Sequence, residues 1–593
     1  MDAKPQQWSV MSALALFVRR ERLWFRRKLR ESTALLIVAA AFVGAAGGGV
    51  ASSTLWAASY LHVFLFGLPG DMRLSAVASL DWRRLLVVLT VGGLILGLST
   101  VLWRKRIGTI VDPIEANALH GGRMSTADSL FVTGQSIVSS GFGASLGLEG
   151  GYTQMASAVG SKLGRLMHRR RHEVRMLVGA GAASAIAGAF NAPFAGAAYG
   201  FELIIGSYTV GTLAPVAVAC VAGTLVSRSI TPPSYRIELG ALDVPGDHQF
   251  LFMAVIGVVC GLLAVAVMRG ATATEQVARN LRVPRELRPV AGGLILAGLG
   301  WLTPHALGSG HGGIELMLGS PLPLTFLLLV LGAKMLASAV SIGSGFRGGL
   351  FSTSLFLGAL AGAGSAQLGI AEGLASSSDI PLFTLAGMAA FGAAVVGAPM
   401  TMSLLVIEIS DKLAIAGPIL IGVVAATLTV RTVFGYSFAT WRFHLRGEAI
   451  LGGGDVGWVR DTTAAKLMRR DLKTVLASAK IREMRAFHPL GSVKIVAAVD
   501  EDGEFMGLAD VARLHAADDP EGTIRDHIAH EDAAIGGNMT IDHVLSEFEA
   551  RETEILVVVD EARHVRGYIT EAYALRRYRE ELDRRQQEIF GNE

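Results

Sequence analysis

Gly147-Leu148-Glu149-Gly150-Gly151-Tyr152 and Gly345-Phe346-Arg347-Gly348-Gly349-Leu350 are the two stretches on which the fold turns. Each sets glycines at the same spacing around one charged residue, and each precedes an apolar run of helical length. A second match runs beside the first. Ala192-Pro193 has Glu202 nine residues after its proline, and Ala398-Pro399 has Glu408 at the same distance. Self-similarity of this kind marks a duplicated unit.

The composition says what surrounds that unit. Of 593 residues, 51% are hydrophobic and 17% charged, which is more apolar surface than soluble domains could bury. The 71 glycines exceed the roughly 7% of average usage, as small residues do where membrane helices approach closely. A net charge of +3 gives no footing for nucleic acid, and Cys220 and Cys260 lie in apolar runs that imply no disulfide framework. Apolar runs follow one another from Leu35 to about Val433; several are shorter than the roughly 20 residues of a perpendicular span, and glycines interrupt others. The chain therefore reads as an α-helical multi-pass membrane protein, an inverted repeat with broken, tilted helices, carrying a cytoplasmic α/β tail. The expected divisions are a basic amphipathic segment (1–34), a membrane domain (35–447), a linker (448–460) containing Gly452-Gly453-Gly454, and the tail (461–593). Basic loops at Trp103–Arg106, His168–His172 and Arg279–Arg288 place both termini on the cytoplasmic side of a plasma (inner) membrane.

Halves related by a pseudo-two-fold axis in the membrane plane bring their broken helices together near the midplane. Unpaired N–H groups at two helix starts then point at one site, and such a site prefers an anion. Each helix end supplies roughly half a positive charge, strengthened by a low local dielectric. An ion held by dipoles also leaves more readily than one held by a full countercharge. Glu149 is the candidate gate, because an ionisable side chain inside such a segment is costly. Its carboxylate would occupy the anion site and swing away when displaced or protonated; the other reading is a structural carboxylate paired with backbone or with Arg347. Glu202 and Glu408, at the ends of equivalent helices, read as structural carboxylates that cap or bind loops.

These residues resemble the CLC family of chloride channels and chloride/proton exchangers over nearly the whole chain. Gly147-Leu148-Glu149-Gly150-Gly151, with Gln154 following, resembles the family's GREGP segment. The resemblance makes Glu149 the gating glutamate and Gly147, Leu148, Gly150 and Gly151 anion-binding positions. Gly349-Leu350-Phe351-Ser352-Thr353 resembles the GxFxP segment, which implies that the amides of Leu350 and Phe351 hold the central anion. Gly108-Thr109-Ile110-Val111-Asp112 falls where the family has GSGIP, with Thr109 as the anion-binding hydroxyl. The run from Asn191 to Glu202 resembles the helix lining the family's dimer interface, implying a homodimer in the bilayer. Gly151, Thr353 and Asp112 stand where those motifs carry proline. Leu203 stands where exchangers carry an inner proton-transfer glutamate. The inner-gate tyrosine falls at Ala439, beside Phe438 and three residues after Tyr436. Passage of chloride and similar small anions follows from the resemblance, with no catalytic residue, no metal and no required cofactor. The missing acid at Leu203 favours passive, channel-like conduction, the alternative being a proton-coupled chloride antiporter.

The tail repeats as well. Val499-Asp500-Glu501 with Gly507 and Asp510 recurs as Val559-Asp560-Glu561 with Gly567 and Thr570, each after a β-rich run. This resembles a CBS-domain pair, with copies at about 461–516 and 523–580. Pairs of this kind bind adenine nucleotides, which would place Asp510 and Thr570 at such a site; Tyr573, standing where the ribose-contacting acid usually lies, leaves a dimerisation module as the other reading. Two further classes fall away. An intramembrane metalloprotease needs His-Glu-x-x-His, which does not occur, and a hard-cation carrier needs clustered membrane carboxylates where these sit singly.

Overall fold

The computed structural model describes residues 32–70, 72–103, 110–231, 246–319, 322–445, 462–551, 553–578 and 580. The chain divides into two compact units, residues 1–455 and 456–593. Thr109, residues 1–31 of the basic segment and the linker lie outside the described residues, and α1 already begins at Thr33, inside the span expected for that segment.

In the first unit the helices run α1 (Thr33–Phe66), α2 (Trp82–Trp103), α3 (Pro113–Leu119), α4 (Thr126–Gly141), α5 (Glu149–Leu166), α6 (Arg171–Phe190), α7 (Pro193–Tyr199) and α8 (Val210–Ile230). The order then recurs as α9 (Asp247–Asn280), α10 (Arg288–Leu302), α11 (His311–Gly319), α12 (Leu324–Gly343), α13 (Phe351–Ala371), α14 (Ile380–Val396), α15 (Pro399–Ser410) and α16 (Ala416–Val433), before α17 (Phe438–Leu445). Nine helices among the described residues are long and apolar enough to cross a membrane.

Close backbone approach explains the glycines and exposes the symmetry. A Cβ on Gly93 of α2 would meet the Pro289 carbonyl at the start of α10, and one on Gly293 of α10 would meet the Leu89 carbonyl of α2. Two carboxylates repeat this reciprocity. Glu202, in the π turn Gly200–Ile205 that continues α7, accepts from the amides of Met400 (2.8 Å) and Thr401 (2.8 Å) at the start of α15. Glu408 of α15 accepts from Phe194 (3.2 Å) and Ala195 (3.0 Å) at the start of α7. Each acid satisfies helix-start amides that have no intrahelical acceptor, in the half that is not its own. When residue i meets j′ and i′ meets j, a two-fold relation is implied.

The same reciprocity corrects the register read from the glycine strings. Gly147 pairs in both directions with Gly349, not with Gly345 (N···O 2.9 and 3.0 Å). Ser145 N–H donates to Ser341 Oγ, and Arg347 N–H to Ser139 Oγ. The counterpart of Gly345 is Gly143, the two sharing left-handed φ values of 97° and 91°. Glu149 therefore corresponds to Phe351 and not to Arg347, since each opens its helix after a leucine N-cap. Glycine-rich strings align at several offsets, and the backbone conformation selects one.

The second unit holds two copies of one small sheet. β1 (Thr474–Leu476) pairs parallel with β2 (Ile495–Val499), which pairs antiparallel with β3 (Phe505–Asp510). β4 (Ala534–Gly536), β5 (Ile555–Val559) and β6 (Val565–Thr570) repeat the arrangement, down to a register shift at Val558/Val559 that matches the one at Ala498/Val499. The opening segment of each copy joins the other copy: Arg469 bridges Tyr568, and Ile524 N–H donates to Ala479 O (3.1 Å).

Candidate functional site

The Gly147–Gly349 bridge sets the first turn of α5 beside the first turn of α13. From the first position of α5 the Glu149 side chain reaches across to α13, where Oε1 accepts from Ser352 N (3.1 Å) and from Ser352 Oγ. A carboxylate thus lies on a helix N-terminus, where amides and dipole favour a negative charge. Glu149 is 4% exposed, and its Oε2 has no hydrogen-bond partner among the described residues. A Cβ on Gly147 would overlap the carboxylate, so the glycine makes room for the acid.

The resemblance offered six backbone positions as anion ligands, and the structure separates them. Gly147 N–H is committed to Gly349 O, and Gly151 N–H to Leu148 O at 2.9 Å. Neither amide is available to an ion, the first because it forms the bridge and the second because it closes a tight first turn. Leu148, Gly150, Leu350 and Phe351 stand at an N-cap or first turn, where amides have no intrahelical acceptor. The ring of Phe351 packs on Phe190 (centroids 5.0 Å) and Tyr199 (6.0 Å).

One cavity meets this carboxylate, and a second lies nearby. The larger, about 740 Å³, is lined by Glu149, Gly150, Leu350 and Phe351, and also by Leu203, Phe438 and Ala439. The smaller, about 90 Å³, is lined by Leu148, His62, Arg73, Ser309 and His311. A narrow space of about 10 Å³ touches both Glu149 and His311. The carboxylate accordingly borders the larger cavity and this narrow space.

Leu203 is buried (7% exposed) in the π turn and faces the larger cavity with a side chain that cannot titrate. Tyr436 does not line that cavity. It lies just before α17, stacked on His444 (4.4 Å) and tilted against Trp441 (5.5 Å), which corrects its inclusion with Phe438 and Ala439 as inner-gate region. Nor does Arg347 pair with Glu149; its side chain lines the larger cavity with Arg285 and Arg442.

Several participants were not singled out from sequence. Tyr199 lines the larger cavity from the end of α7. Arg442, one turn past Ala439 on α17, pairs with Asp112 at 3.4 Å. Lys334 is fully buried and donates to the carbonyls of Ala306 (3.2 Å), Leu307 (3.4 Å) and Gly308 (2.6 Å), holding the loop that walls the smaller cavity. The three-residue interval from Ala439 to Arg442, one helical turn, was a usable signal for the arginine.

In the tail, Asp510 caps the helix Val511–Ala516 through Ala512 N (2.8 Å) and Arg513 N (3.2 Å). A cavity of about 710 Å³ there is lined by Met468, Asn538, His543 and Asp560, and by neither Asp510 nor Thr570.

Residues 92–431 match the family model described as voltage gated chloride channel. A ClcB-like protein of Ralstonia nicotianae is 31% identical over 372 residues, which cover 60% of this chain and 85% of that protein. The voltage-gated ClC-type chloride channel ClcB of Salmonella dublin is 29% identical over 381 residues, covering 63% and 89%. Among solved structures, a slow cyanobacterial Cl⁻/H⁺ antiporter superposes with a TM-score of 0.60 at 23% identity, over 69% of this chain and 97% of its own. A eukaryotic CLC transporter superposes at 0.59 and 17% identity, over 92% and 98%. At these identities the two structures speak for the fold alone.

Proposed function

Because the chain belongs to the voltage gated chloride channel family, we propose that it passes chloride and similar small anions across a membrane, with the Glu149 carboxylate as gate. One observation carries the reading: a carboxylate from one half sits on the helix N-terminus of the other, with Oε2 buried and unpartnered among the described residues. Such an acid occupies the place an anion would take, and a half-satisfied buried charge is a group poised to move. The larger cavity supplies the route on one side, and the narrow space between Glu149 and His311 leads toward the smaller cavity on the other.

Passive conduction is the favoured mode, since Leu203 offers no proton and Ala439 leaves the inner tyrosine's place empty of a hydroxyl. Proton-coupled exchange is the second reading, favoured by the likeness to a protein named as a Cl⁻/H⁺ antiporter. In this proposal the chain works as a homodimer with both termini cytoplasmic, each subunit carrying its own path, and the tail is a CBS-type pair.

Chloride flux and reversal potential in liposomes, with and without a proton gradient, test both statements. The expected result is halide flux whose reversal potential ignores the proton gradient. A potential that tracks the gradient would turn the reading to exchange; absence of halide flux would end it.

A further inference from the structure

We propose that the Asp112–Arg442 ion pair is a second, anion-displaceable gate at the solvent end of the larger cavity. The inference rests on reading that cavity as an anion path. It begins from two elements that meet in space: Asp112 is the N-cap of α3, before Pro113, and α17 carries Ala439 and, one turn on, Arg442. From α17, Arg442 reaches Asp112, Nη2 to Oδ2 at 3.4 Å.

The two oxygens of Asp112 are divided between tasks. Oδ1 accepts from Ile114 N (2.8 Å) and Glu115 N (3.0 Å), capping α3, while Oδ2 faces Arg442. The guanidinium also lies over the Phe438 ring (5.5 Å to the centroid), which fixes its plane beside the cavity. Side-chain exposure is 49% for Arg442 and 22% for Asp112, whereas Glu149 is 4% exposed. The pair is therefore on the solvent side and Glu149 is the deeper gate.

Charge decides what the pair does. Arg285, Arg347 and Arg442 line this cavity and attract anions; Asp112 and Glu115 oppose them, Glu115 having His120 beside it at 3.6 Å. While Asp112 holds Arg442, both charges are masked. An anion that reaches the guanidinium competes with Oδ2 for the same N–H groups, and winning that competition opens the mouth. An ion pair this exposed is weak enough to be separated by a passing ion. The cap by Oδ1 keeps Asp112 in place during the exchange.

Efflux of chloride from liposomes holding the full chain, measured over a range of chloride concentrations, tests this with Asp112→Asn, Arg442→Gln and the double variant. Asparagine caps a helix as well as aspartate, so Asp112→Asn removes the charge and leaves α3 intact. The proposal expects Asp112→Asn to lower the half-saturating chloride concentration and Arg442→Gln to raise it. The double variant is expected to depart by at least about threefold from the product of the single effects, the signature of coupled groups. Multiplicative effects overturn the proposal, as does an unchanged half-saturation in Asp112→Asn, which decides alone if Arg442→Gln fails to fold. A wild-type chain without chloride flux would instead overturn the reading of the cavity itself.

Discussion

Replacing Glu149 by glutamine keeps its volume and removes its charge, and the geometry sets the size of the effect. The carboxylate accepts two hydrogen bonds from Ser352, through N and Oγ. Hydrogen bonds to a charged group contribute about 1.5–3 kcal/mol each and neutral ones about 0.5–1.5, so glutamine holds this position more weakly by roughly 2–3 kcal/mol in all. At 1.4 kcal/mol per decade, an anion competing for the first turn of α13 gains about 30–150-fold over the side chain. Chloride efflux from liposomes at a series of pH values measures it. Protonation does to glutamate what the substitution does permanently. Wild-type flux should therefore rise as pH falls, and Glu149→Gln should be fast and flat with pH. A glutamine variant that is slower than wild type, or that keeps the wild-type pH dependence, would refute the gate and favour a structural acid.

The remaining predictions concern the groups that hold the scaffold. Among the described residues Glu202 accepts from two amides and from Thr401 Oγ1 (2.6 Å), whereas Glu408 accepts from two amides. Glu202→Ala should therefore lower stability by about 2–4 kcal/mol and Glu408→Ala by about 1–3. Thermal unfolding in detergent reads the difference, and equal or negligible Tm shifts would count against reciprocal capping. Asp510→Ala should cost the tail about 0.5–2 kcal/mol through its lost cap. Calorimetric titration with ATP should give the same result for this variant as for wild type, because Oδ1 is turned to its own helix; a heat lost only in the variant would contradict that.

What could be read from sequence followed from helix starts. Proline at the first helical position and an acid nine residues on recur because each acid caps the opposite half, so the spacing is tied to the architecture. The Gly-rich segments were legible as a pair, but their register was not: glycines match at several offsets, and only the left-handed φ at Gly143 and Gly345 tells them apart. Tyr436 looked like a candidate because it lies three residues from Ala439, yet α17 begins at Phe438 and leaves Tyr436 just before it, stacked on His444. Arg442 and Tyr199 acquire meaning only beside Asp112 and Phe351, and Lys334 only beneath the carbonyls of Ala306 to Gly308. The partner of each lies on another element of the chain, from 26 residues away for Lys334 to 330 for Arg442, so the helical turn from Ala439 marks the place of Arg442 but not its partner.

The corrected register explains why duplication alone would not give the proposed gate. At equivalent first positions, one half carries Glu149 and the other Phe351; two positions before Gly147 and Gly349, one carries Ser145 and the other Arg347. Two acids at the helix starts would repel each other across the bridge and leave both N-termini blocked. Two phenylalanines would leave anion-favouring amides with nothing to compete for them. In the proposed gate, placing the acid in one half and the receiving amides in the other gives a single carboxylate able to leave, while Arg347 adds positive charge to the larger cavity. The function then depends on where the two halves differ, and the fold on where they agree.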